Sequence, residues 1–496
     1  MTLLIILIVL ALLVVLAAVL LVNALRLRPA EVANPLPPLA AEVAGTDRSV
    51  ERFCALLQSK TVWAAEDPTA DHSAFDGFIP KLKTLYPQVF AALELTVIND
   101  YGLLLHWRGR NAEAAPVVLM AHHDVVFAKP EEWTHDPFAA EIVDGRIYAR
   151  GAVDTKCILA GLLEAVEYLL AQGYTPPRSV YLVSSNCEED SGPTGKLMAD
   201  YFSSRGITPL FVLDEGGAVV DNAPLGVSCD FAAIGVAEKG IFAARCTVES
   251  EGGHAATPAL TDAPARLVAA LDTMLKSPAP ARLSKPIEET LKELAAHGSL
   301  GLKLVFANLW LTRPLVLAIM KGNAETAAMV RTTYAITELE GSRAANVIPK
   351  TAGVTVNVRI DPHENVDAAL ERLKGSFAKV GVAGDMVDFT LENPIDPSPV
   401  SPFDDEVFCY VRRVTHSVYP QAGIAPYVQS SCTDARHFAT ICPHTYRFAG
   451  FLFKGDQRAS IHGKDESLDV ESFKRGVGFY IQLMAHLDQL EGYLEG

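Results

Sequence analysis

Positive charge is scarce in this sequence. Its 496 residues include 42 Lys and Arg against 59 Asp and Glu, a formal net charge of −17 at pH 7. A chain this acidic lacks the broad cationic surface that follows a phosphate backbone, so we expect no nucleic-acid partner. Gly and Pro number 34 and 30, near average usage, which excludes collagen-like and low-complexity chains. Half of the residues are hydrophobic, which excludes wholesale disorder.

Paired cysteines and glycosylation signals are missing as well. The eight cysteines are spread singly, with no C-x-x-C pair, and no Asn-x-Ser/Thr sequence occurs. In a chain of this length, single cysteines do not predict a disulfide framework. Both absences favour a reducing compartment.

Charge is absent from the N-terminal stretch between Thr2 and Leu25. These 24 residues would form a helix of about 36 Å, enough to cross a hydrocarbon core of about 30 Å. No charge precedes the stretch, and Arg26 and Arg28 follow it, which favours an uncleaved anchor over a cleaved signal peptide or a buried core helix. We predict a single-pass membrane protein with its anchor over residues 1–28. Two arginines leave the side of the membrane open.

An α/β domain is predicted after a proline-rich linker at 29–45. Between 46 and 236, the apolar runs PVVLMAHHD, SVYLVSSN and PLFVLDEGG alternate with amphipathic helical patterns. This alternation is typical of a sheet covered by helices on both faces. Ligands bind such sheets at the carboxyl ends of the strands, where these runs carry His, Glu and Asp.

A second domain interrupts the first between 237 and 394. Its patterns read strand, helix, strand, strand, helix, strand, the order of a ferredoxin-like α+β domain. A helical insert lies within it at about 277–330. The α/β pattern resumes over 395–496, which we take as the second part of the first domain.

Potential metal ligands occur in five blocks of the sequence. The blocks are MAHHDVV, RGAVDTK, SSNCEEDSG, VLDEGG and ASIHGKDE. Imidazole mixed with carboxylate suits Zn²⁺ or a similar metal. Two ions about 3.5–4 Å apart would need one carboxylate to bridge them.

These blocks, in this order, resemble the zinc aminoacylase/carboxypeptidase family, and the resemblance covers most of residues 50–490. The family includes aminoacylase, succinyl-diaminopimelate desuccinylase and carboxypeptidase G. The nearest branch is that of the Gly-Xaa carboxypeptidases (carboxypeptidase S) and the N-fatty-acyl-amino-acid synthase/hydrolases. The resemblance implies a di-zinc exopeptidase-like catalytic domain interrupted by a lid or dimerisation domain. It also implies two Zn²⁺ per chain, which Co²⁺ or Mn²⁺ could replace.

The resemblance also assigns roles at the metal centre. The implied ligands are His122, Asp154, Glu189, Glu215 and His462. Asp154 would bridge the two ions, although it could instead cap the following helix. Asp214 is the alternative to Glu215 if the register is shifted by one residue. Asp124 would orient the ring of His122.

Glu188 is the implied general base, which takes a proton from water and returns it to the leaving nitrogen. Its neighbour Glu189 points elsewhere on an extended segment, so one can bind metal while the other stays free. The chain departs from the family's Gly-His-Asp-Glu-Glu pattern just before this pair, where it reads Ser-Ser-Asn-Cys-Glu-Glu. A cysteine hydrolase using Cys187 is a competing hypothesis, but it leaves the five blocks unexplained.

Substrate contacts are implied by the second domain. The segment ESEGGHAATP resembles one whose histidine, here His254, stabilises the oxyanion of the tetrahedral intermediate. Asn346 and Arg359 would supply an amide donor and a guanidinium for the substrate carboxylate, although they could be a turn residue and a solvated charge. In CTDARHF, Ser431 and Cys432 replace two glycines of the family motif. The Thr-Asp that follows is a candidate helix N-cap.

The sequence therefore predicts a metal-dependent hydrolase that cleaves an amide bond next to a free carboxylate, as a carboxypeptidase of Gly-Xaa type. An N-acyl-amino-acid amidohydrolase, with a fatty-acyl substrate as one form, is the alternative. A membrane-tethered binding protein without activity is a remote one. We expect a small-molecule substrate and a homodimer in which His254 reaches the neighbouring site. The helical insert could instead cover the pairing surface and leave a monomer.

Overall fold

The computed structural model describes residues 1–40, 44–63, 72–222, 224–259 and 261–492. Residues 41–43 of the predicted linker lie outside the described residues. The rest of that linker contains no helix or strand over 29–40. It runs against the protein surface, where Leu36 is buried and the Leu39 amide donates to the Ser417 carbonyl over 2.9 Å.

The helices of the described residues, in chain order, are α1 (Thr2–Arg26), α2 (Asp47–Leu57), α3 (Ser73–Asp76), α4 (Phe78–Leu85), α5 (Pro87–Ala92), α6 (Lys156–Ala171), α7 (Thr194–Ser203), α8 (Ala263–Lys276), α9 (Lys285–His297), α10 (Leu300–Phe306), α11 (Leu309–Met320), α12 (Ala324–Ala328), α13 (Val366–Ala378), α14 (Glu406–Val418), α15 (Ala435–Phe438), α16 (Gly455–Ala459) and α17 (Val470–Ala485).

The strands are β1 (Glu94–Ile98), β2 (Gly102–Trp107), β3 (Val117–His122), β4 (Glu141–Val143), β5 (Arg146–Tyr148), β6 (Val180–Ser185), β7 (Phe211–Asp214), β8 (Val219–Val220), β9 (Phe231–Glu238), β10 (Gly240–Glu249), β11 (Gly253–His254), β12 (Thr333–Glu340), β13 (Val347–Ile348), β14 (Thr351–Ile360), β15 (Val387–Ile395), β16 (Gly423–Gln429), β17 (Thr445–Arg447), β18 (Leu452–Phe453) and β19 (Ser467–Asp469).

A ten-stranded mixed sheet forms the α/β domain. Its order is β1-β2-β6-β3-β7-β17-β9-β8-β18, with β16 paired to β9. The three apolar runs of the sequence become β3, β6 and β7, which pair side by side in parallel. All six residues of β3 and of β6 are buried, since helices cover both faces of the sheet.

Two helical layers enclose this sheet. On one face α6 packs against α2, α17 and β3, and almost every residue of α6 is buried. On the other face α7 and α15 cover the sheet, with Met198, Phe202 and Phe438 packed on Val118 and Met120. A separate three-stranded sheet, β19-β5-β4, lies beside this domain. The sequence did not predict it, because β4 and β5 are three residues each.

The second domain is a four-stranded antiparallel sheet in the order β12-β14-β10-β15, with α8 and α13 packed on it. Along the chain these elements follow as β10, α8, β12, β14, α13, β15. The short ribbon β11–β13 continues past the end of the sheet. The core of the second domain consists of buried apolar side chains, including Phe242, Val356 and Phe377, and is separate from that of the α/β domain.

Helices α9 to α12 form the insert, and they pack on the α/β domain. The Thr290 hydroxyl of α9 donates to the Pro426 carbonyl in β16, and Leu294 packs on Phe231 and Ala425. The outward face of α8 in the second domain stays exposed at Val268 and Leu275. The insert therefore leaves this face of α8 uncovered.

Helix α1 is long and apolar enough to cross a membrane, and a signal sequence has the same properties. Its residues 2–15 are exposed, whereas Ala24 near its end is buried. Helices α10 and α11 are long and apolar enough to cross a membrane only if they are taken as one span, and they meet at an angle of 106°.

Candidate active site

The chemistry-bearing residues gather at one edge of the large sheet. His122 ends β3, Asp214 ends β7, and Ser185 ends β6 just before the turn that carries Glu188. Because these strands are parallel neighbours, their carboxyl ends meet at the same edge, where ligands bind in open α/β sheets. The positions follow from the topology that the sequence predicted.

Two groups of donor atoms share one carboxylate. The first group is His122, Asp154 and Glu215, and the second is Asp154, Glu189 and His462, with all donor atoms of a group within 4.8 Å of one another. Nε2 of His122 lies 3.0 Å from Oδ1 of Asp154. Nε2 of His462 lies 3.1 Å from the other oxygen, Oδ2. Each group thus uses its own oxygen of Asp154.

The remaining distances complete both groups. Nε2 of His122 is 3.5 Å from Oε1 of Glu215, and Nε2 of His462 is 2.9 Å from Oε2 of Glu189. Ligands about 2.05 Å from a tetrahedral ion are separated by about 3.3 Å, so these spacings fit an ion in each group. Oε1 of Glu189 is buried without a hydrogen-bond partner among the described atoms. The donor chemistry and the spacing both fit a zinc-type ion.

Asp124 connects the first group to the following turn. Nδ1 of His122 lies 3.0 Å from the Asp124 carbonyl oxygen and 3.4 Å from its Oδ1 atom. The same carboxylate accepts hydrogen bonds from the amides of Glu188, over 3.2 Å, and Glu189, over 3.1 Å. From the sequence we expected Asp124 to contact only His122. Nothing in the spacing of the residues indicated the two amide contacts.

The Glu188 carboxylate makes no hydrogen bond or ion pair with any other described residue. Burial raises the pKa of Glu188 well above its usual range, while the imidazole of His122 opposes the rise. The carboxylates of Asp434, Asp124 and Glu189 add to it. A general base works best when its pKa lies near the working pH, so these surroundings suit the role.

The structure separates the alternatives for Asp214 and Asp154. Both oxygens of Asp214 accept backbone amides, from Glu215 over 2.8 Å and from Ala435 over 2.9 Å, so it is Glu215 that faces His122. Helix α6 takes Thr155 as its N-cap, without a side-chain hydrogen bond. Asp154 therefore does not cap this helix. Its side chain faces the two histidines instead.

Glu466 is a supporting residue whose part the sequence did not reveal. Its Oε1 atom accepts the amides of Val153, over 2.7 Å, and Asp154, over 3.0 Å. Its Oε2 atom accepts the amide of Gly151 and forms a buried ion pair with Arg150 at 2.6 Å. Glu466 thus fixes the loop that presents Asp154. The signal was available, since Glu466 ends the HGKDE run that begins at His462.

Cys187 is placed unfavourably for the competing cysteine-hydrolase hypothesis. Its thiol is buried against the Thr194 hydroxyl at 3.0 Å. Burial raises the pKa of the thiol, which disfavours the reactive thiolate.

The predicted substrate residues lie at opposite ends of the second domain. His254 and Asn346 are neighbours, since His254 pairs with Val347 and the Asn346 carbonyl accepts the Ala255 amide over 3.1 Å. Both side chains are exposed, and no described hydrogen bond or ion pair joins His254 to the donor groups. Arg359 lies at the other end of β14, eight residues beyond Thr351, or about 26 Å along the strand.

Arg359 is near a second guanidinium that the sequence did not single out. Burial raises the pKa of the Cys432 thiol, and the positive charges of Arg436 and Arg359 both oppose that rise. Arg436 is itself buried, and its Nε atom has no described hydrogen-bond partner. Next to it, Thr433 donates through its hydroxyl to Glu238, and Asp434 is the N-cap of α15 without a side-chain cap bond.

Comparison with known proteins shows similarity to a family of peptidases. A family model described as peptidase family M20/M25/M40 matches residues 118–486. The N-fatty-acyl-amino acid synthase/hydrolase PM20D1 of Xenopus tropicalis is 33% identical over 457 residues, covering 91% of this chain and 88% of its own. The probable carboxypeptidase S-like 2 of Dictyostelium discoideum is 29% identical over 446 residues, covering 88% and 85%.

Solved structures share the fold. An M20 family metallo-carboxypeptidase from Sulfolobus solfataricus matches with a TM-score of 0.66 at 18% identity, covering 88% of this chain and 99% of its own. Human carnosine dipeptidase 1 matches with a TM-score of 0.58 at 17% identity, covering 88% and 96%. The predicted resemblance is therefore confirmed, and the chain belongs to the peptidase family M20/M25/M40.

Proposed function

We propose that this enzyme hydrolyses an amide bond next to a free carboxylate, with two metal ions and Glu188 as general base. The observation that carries the proposal is the sharing of Asp154, which gives one oxygen to each donor group, while the Glu188 carboxylate has no hydrogen bond or ion pair among the described residues. A bridging carboxylate beside a partly buried acid that is free to take up a proton is the arrangement that hydrolysis by a two-metal centre requires.

The ions are proposed to be Zn²⁺, with Co²⁺ or Mn²⁺ as substitutes. His122, Asp154 and Glu215 would hold one ion, and Asp154, Glu189 and His462 the other. When bound, the two ions supply Lewis acidity for the scissile carbonyl and for water. Asp124 and Glu466 keep the ligands in place by their contacts to His122 and to the Asp154 amide.

Glu188 moves the proton. Its raised pKa lets the carboxylate accept a proton from water and hold it long enough to give it to the leaving nitrogen. The backbone of Glu188 is tied to Asp124, so the side chain starts from a fixed point. Asp124 acts on the reaction only through His122 and the Glu188–Glu189 backbone.

The free carboxylate of the substrate is proposed to bind at the guanidinium of Arg359, with Arg436 as a second cation beside it. A planar guanidinium matches a carboxylate in a bidentate pair. Arg436 follows Cys432 by four residues, and the Cys432 thiol lies 3.5 Å from the Lys239 carbonyl, next to Gly240, which pairs with Ile360 beside Arg359. The Nε atom of Arg359 donates to Asn357 over 3.3 Å, which leaves its terminal nitrogens for a ligand.

The site takes His254 and Asn346 from a second copy of the chain. These side chains lie at the end of the second domain that faces away from the α/β domain, so they cannot meet Arg359 within one chain. The second domain offers exposed strand edges and the open face of α8 for a two-fold contact. We therefore propose a homodimer in which the second domain is a ferredoxin-like lid and pairing domain.

The proposed domain division keeps the bounds expected from the sequence. The anchor covers 1–28 and the linker 29–45, the catalytic domain covers 46–236 and 395–496, and the lid covers 237–394. Helix α1 would hold the enzyme at a membrane as a single-pass anchor.

Carboxypeptidase activity on short peptides of Gly-Xaa type is the first substrate hypothesis, and hydrolysis of N-acyl amino acids is the second. Support for the second comes from the relatives named as N-fatty-acyl-amino acid synthase/hydrolases, and from the proposed anchor α1, which would bring the enzyme close to lipids. Both reactions need the same carboxylate contact and differ only in the acyl side.

A mixed panel of dipeptides and N-acyl amino acids, incubated with the purified enzyme and read by mass spectrometry, tests the proposal. We expect release of free amino acids from one class at least tenfold faster than from the other, and loss of both reactions with a chelator. No release from any compound with a free carboxylate would contradict the proposal and favour the remote alternative of a tethered binding protein. Release from carboxyl-amidated compounds at equal rate would contradict the carboxylate contact alone.

A further inference from the structure

The outward face of α11 is apolar. Its exposed residues include three adjacent pairs that repeat every four positions, and all but Arg313 are uncharged: Trp310, Leu311, Pro314, Leu315, Ala318 and Ile319. Trp310, Leu315 and Ile319 are 63%, 54% and 65% exposed. A surface helix of a globular protein normally turns a polar side outward, whereas this outward face is apolar.

The orientation of α11 is fixed by its opposite face, which is also apolar. Leu309, Val316 and Met320 are buried in one cluster with Phe306 of α10. This cluster also includes residues of α9, which packs on the α/β domain. Rotation of α11 to hide Trp310 would expose these three residues. The apolar stripe therefore belongs to the folded protein.

The stripe begins where α1 meets the protein. Asn308, at the bend between α10 and α11, donates through Nδ2 to the Leu20 carbonyl over 3.1 Å and accepts a hydrogen bond from Asn23 over 2.8 Å. Leu27 packs on the same cluster as Phe306. The apolar side of α11 and the apolar helix α1 are thus neighbouring parts of one surface.

The depth of this junction can be derived from the helix rise. Leu20 lies 18 residues beyond Thr2, or about 27 Å along α1. A hydrocarbon core is about 30 Å thick, so Asn308 would lie near its edge when Thr2 lies near the other. Helix α11, which starts one residue later and is bent by 106° from α10, begins at the depth of the lipid headgroups.

We propose that α11 is a second membrane contact, lying in the boundary between lipid headgroups and acyl chains with its apolar stripe towards the lipid. The proposal rests on the proposed anchor. Tryptophan favours this interface, and interfacial helices bury an apolar face about 5–10 Å into it. Lys321 directly follows α11 and Lys303 lies in α10, and both would meet anionic headgroups. The occupant of the face is therefore a lipid bilayer.

Tryptophan fluorescence of the full chain in vesicles tests this proposal. The chain contains four tryptophans, and Trp107 is buried. We expect phosphatidylcholine with brominated acyl chains to quench a part of the emission that disappears in Trp310→Phe. The double variant Leu315→Glu/Ile319→Glu keeps Trp310 and should lose about half or more of that quenching. The matched control Ile142→Glu/Leu197→Glu changes residues that are 52% and 41% exposed elsewhere and should keep it.

The outcomes separate this proposal from the anchor. Equal quenching of wild type and Trp310→Phe, in chains that float with the vesicles, would overturn the contact by α11 and leave the anchor intact. The same result would follow if a second copy covered this face, and Leu315→Glu/Ile319→Glu would then dissociate oligomers in detergent. Chains that do not float with the vesicles would overturn both proposals.

Discussion

The carboxylate of Asp124 holds the backbone of Glu188, whose amide lies 3.2 Å from its Oδ1 atom. The other oxygen, Oδ2, accepts the amide of Glu189 over 3.1 Å. Asp124 is fully buried and also touches the ring of His122. One side chain thus sets the positions of a metal-facing imidazole, a metal-facing carboxylate and the proposed base.

Asp124→Asn should weaken metal binding by about 10–100-fold, the usual cost of changing a residue that orients ligands. An amide oxygen and an NH2 group cannot replace two acceptor oxygens, so one of the two backbone amides would lose its partner. A competition titration with a fluorescent chelator measures the affinity. Asp272→Asn, on the exposed surface of α8, is the control. Unchanged affinity in Asp124→Asn would show that the ligands hold their geometry without it.

Glu188→Gln should keep both metal ions and lower turnover by about 10²–10⁴-fold, the usual span for general acid–base catalysis. The glutamine side chain has the same shape but accepts no proton. Glu188 belongs to neither of the two groups of metal-ligand atoms, so its replacement should leave both groups unchanged. Metal content by elemental analysis and kcat on the preferred substrate are the two measurements. A fully active variant, or one without metal, would show that Glu188 is not the base.

His462→Ala should reduce the metal content from two ions per chain to about one, because His462 serves only the second donor group. Its side chain is half exposed, so removal should leave the surrounding fold intact. Elemental analysis together with thermal unfolding tests this. If both ions were lost, the two groups would bind cooperatively, and if both were kept, His462 would not be a ligand.

Mixed dimers should restore activity when Glu188→Gln chains are co-expressed with His254→Ala chains. Half of randomly formed dimers are mixed, and one of their two sites combines wild-type Glu188 and wild-type His254, so about a quarter of full activity should return. Each variant alone should be nearly inactive. Absence of rescue in purified mixed dimers would mean that His254 acts within its own chain or has no part in the reaction.

Acid should destabilise the protein partly through His437. Burial lowers the pKa of this imidazole to about 4, with the charges of Arg436 and Lys196 adding to the effect. Its value in an unfolded chain is about 6.5, so between these limits the unfolded chain binds more protons and stability falls as the pH falls. His437 is partly exposed, so we expect a loss of about 1–2 kcal/mol between pH 6.5 and 4.

His437→Gln should remove this share of the acid sensitivity. The drop in melting temperature from pH 7 to pH 4.5 would then be smaller in the variant than in the wild type. An equal drop in both would assign the acid sensitivity to other groups.

The sequence predicted the parts of this site that depend on strand order. His122, Asp214 and the Glu188 turn follow three buried strands, and parallel pairing brings such ends together. Residues that act through the backbone were harder to predict. The HGKDE run marked Glu466 as a candidate, but the amides that Glu466 and Asp124 accept depend on turn geometry that side-chain spacing does not encode.

The position of the insert could not be predicted either. A helical period identifies which residues of α9 are apolar, but it does not say which of two domains they face. The choice depends on packing with Phe231 and Ala425, which lie far away in the sequence. Similarly, Asn346 and Arg359 are thirteen positions apart in the sequence, and this spacing does not reveal that β14 separates them along its length.

The end of α1 is tied to the insert at Asn308, and the insert is tied to the α/β domain at Pro426. Just after α1, the Ala30 amide donates a hydrogen bond to Glu293 of α9 over 2.9 Å. The Ala30 carbonyl accepts a hydrogen bond from Arg412 of α14 over 2.8 Å. The proposed anchor would therefore be held by the part of the molecule that carries the donor groups. The sheet with His254 at its tip makes none of these contacts, so under the proposed anchoring it would be free to move while the donor groups keep a constant distance from the lipid.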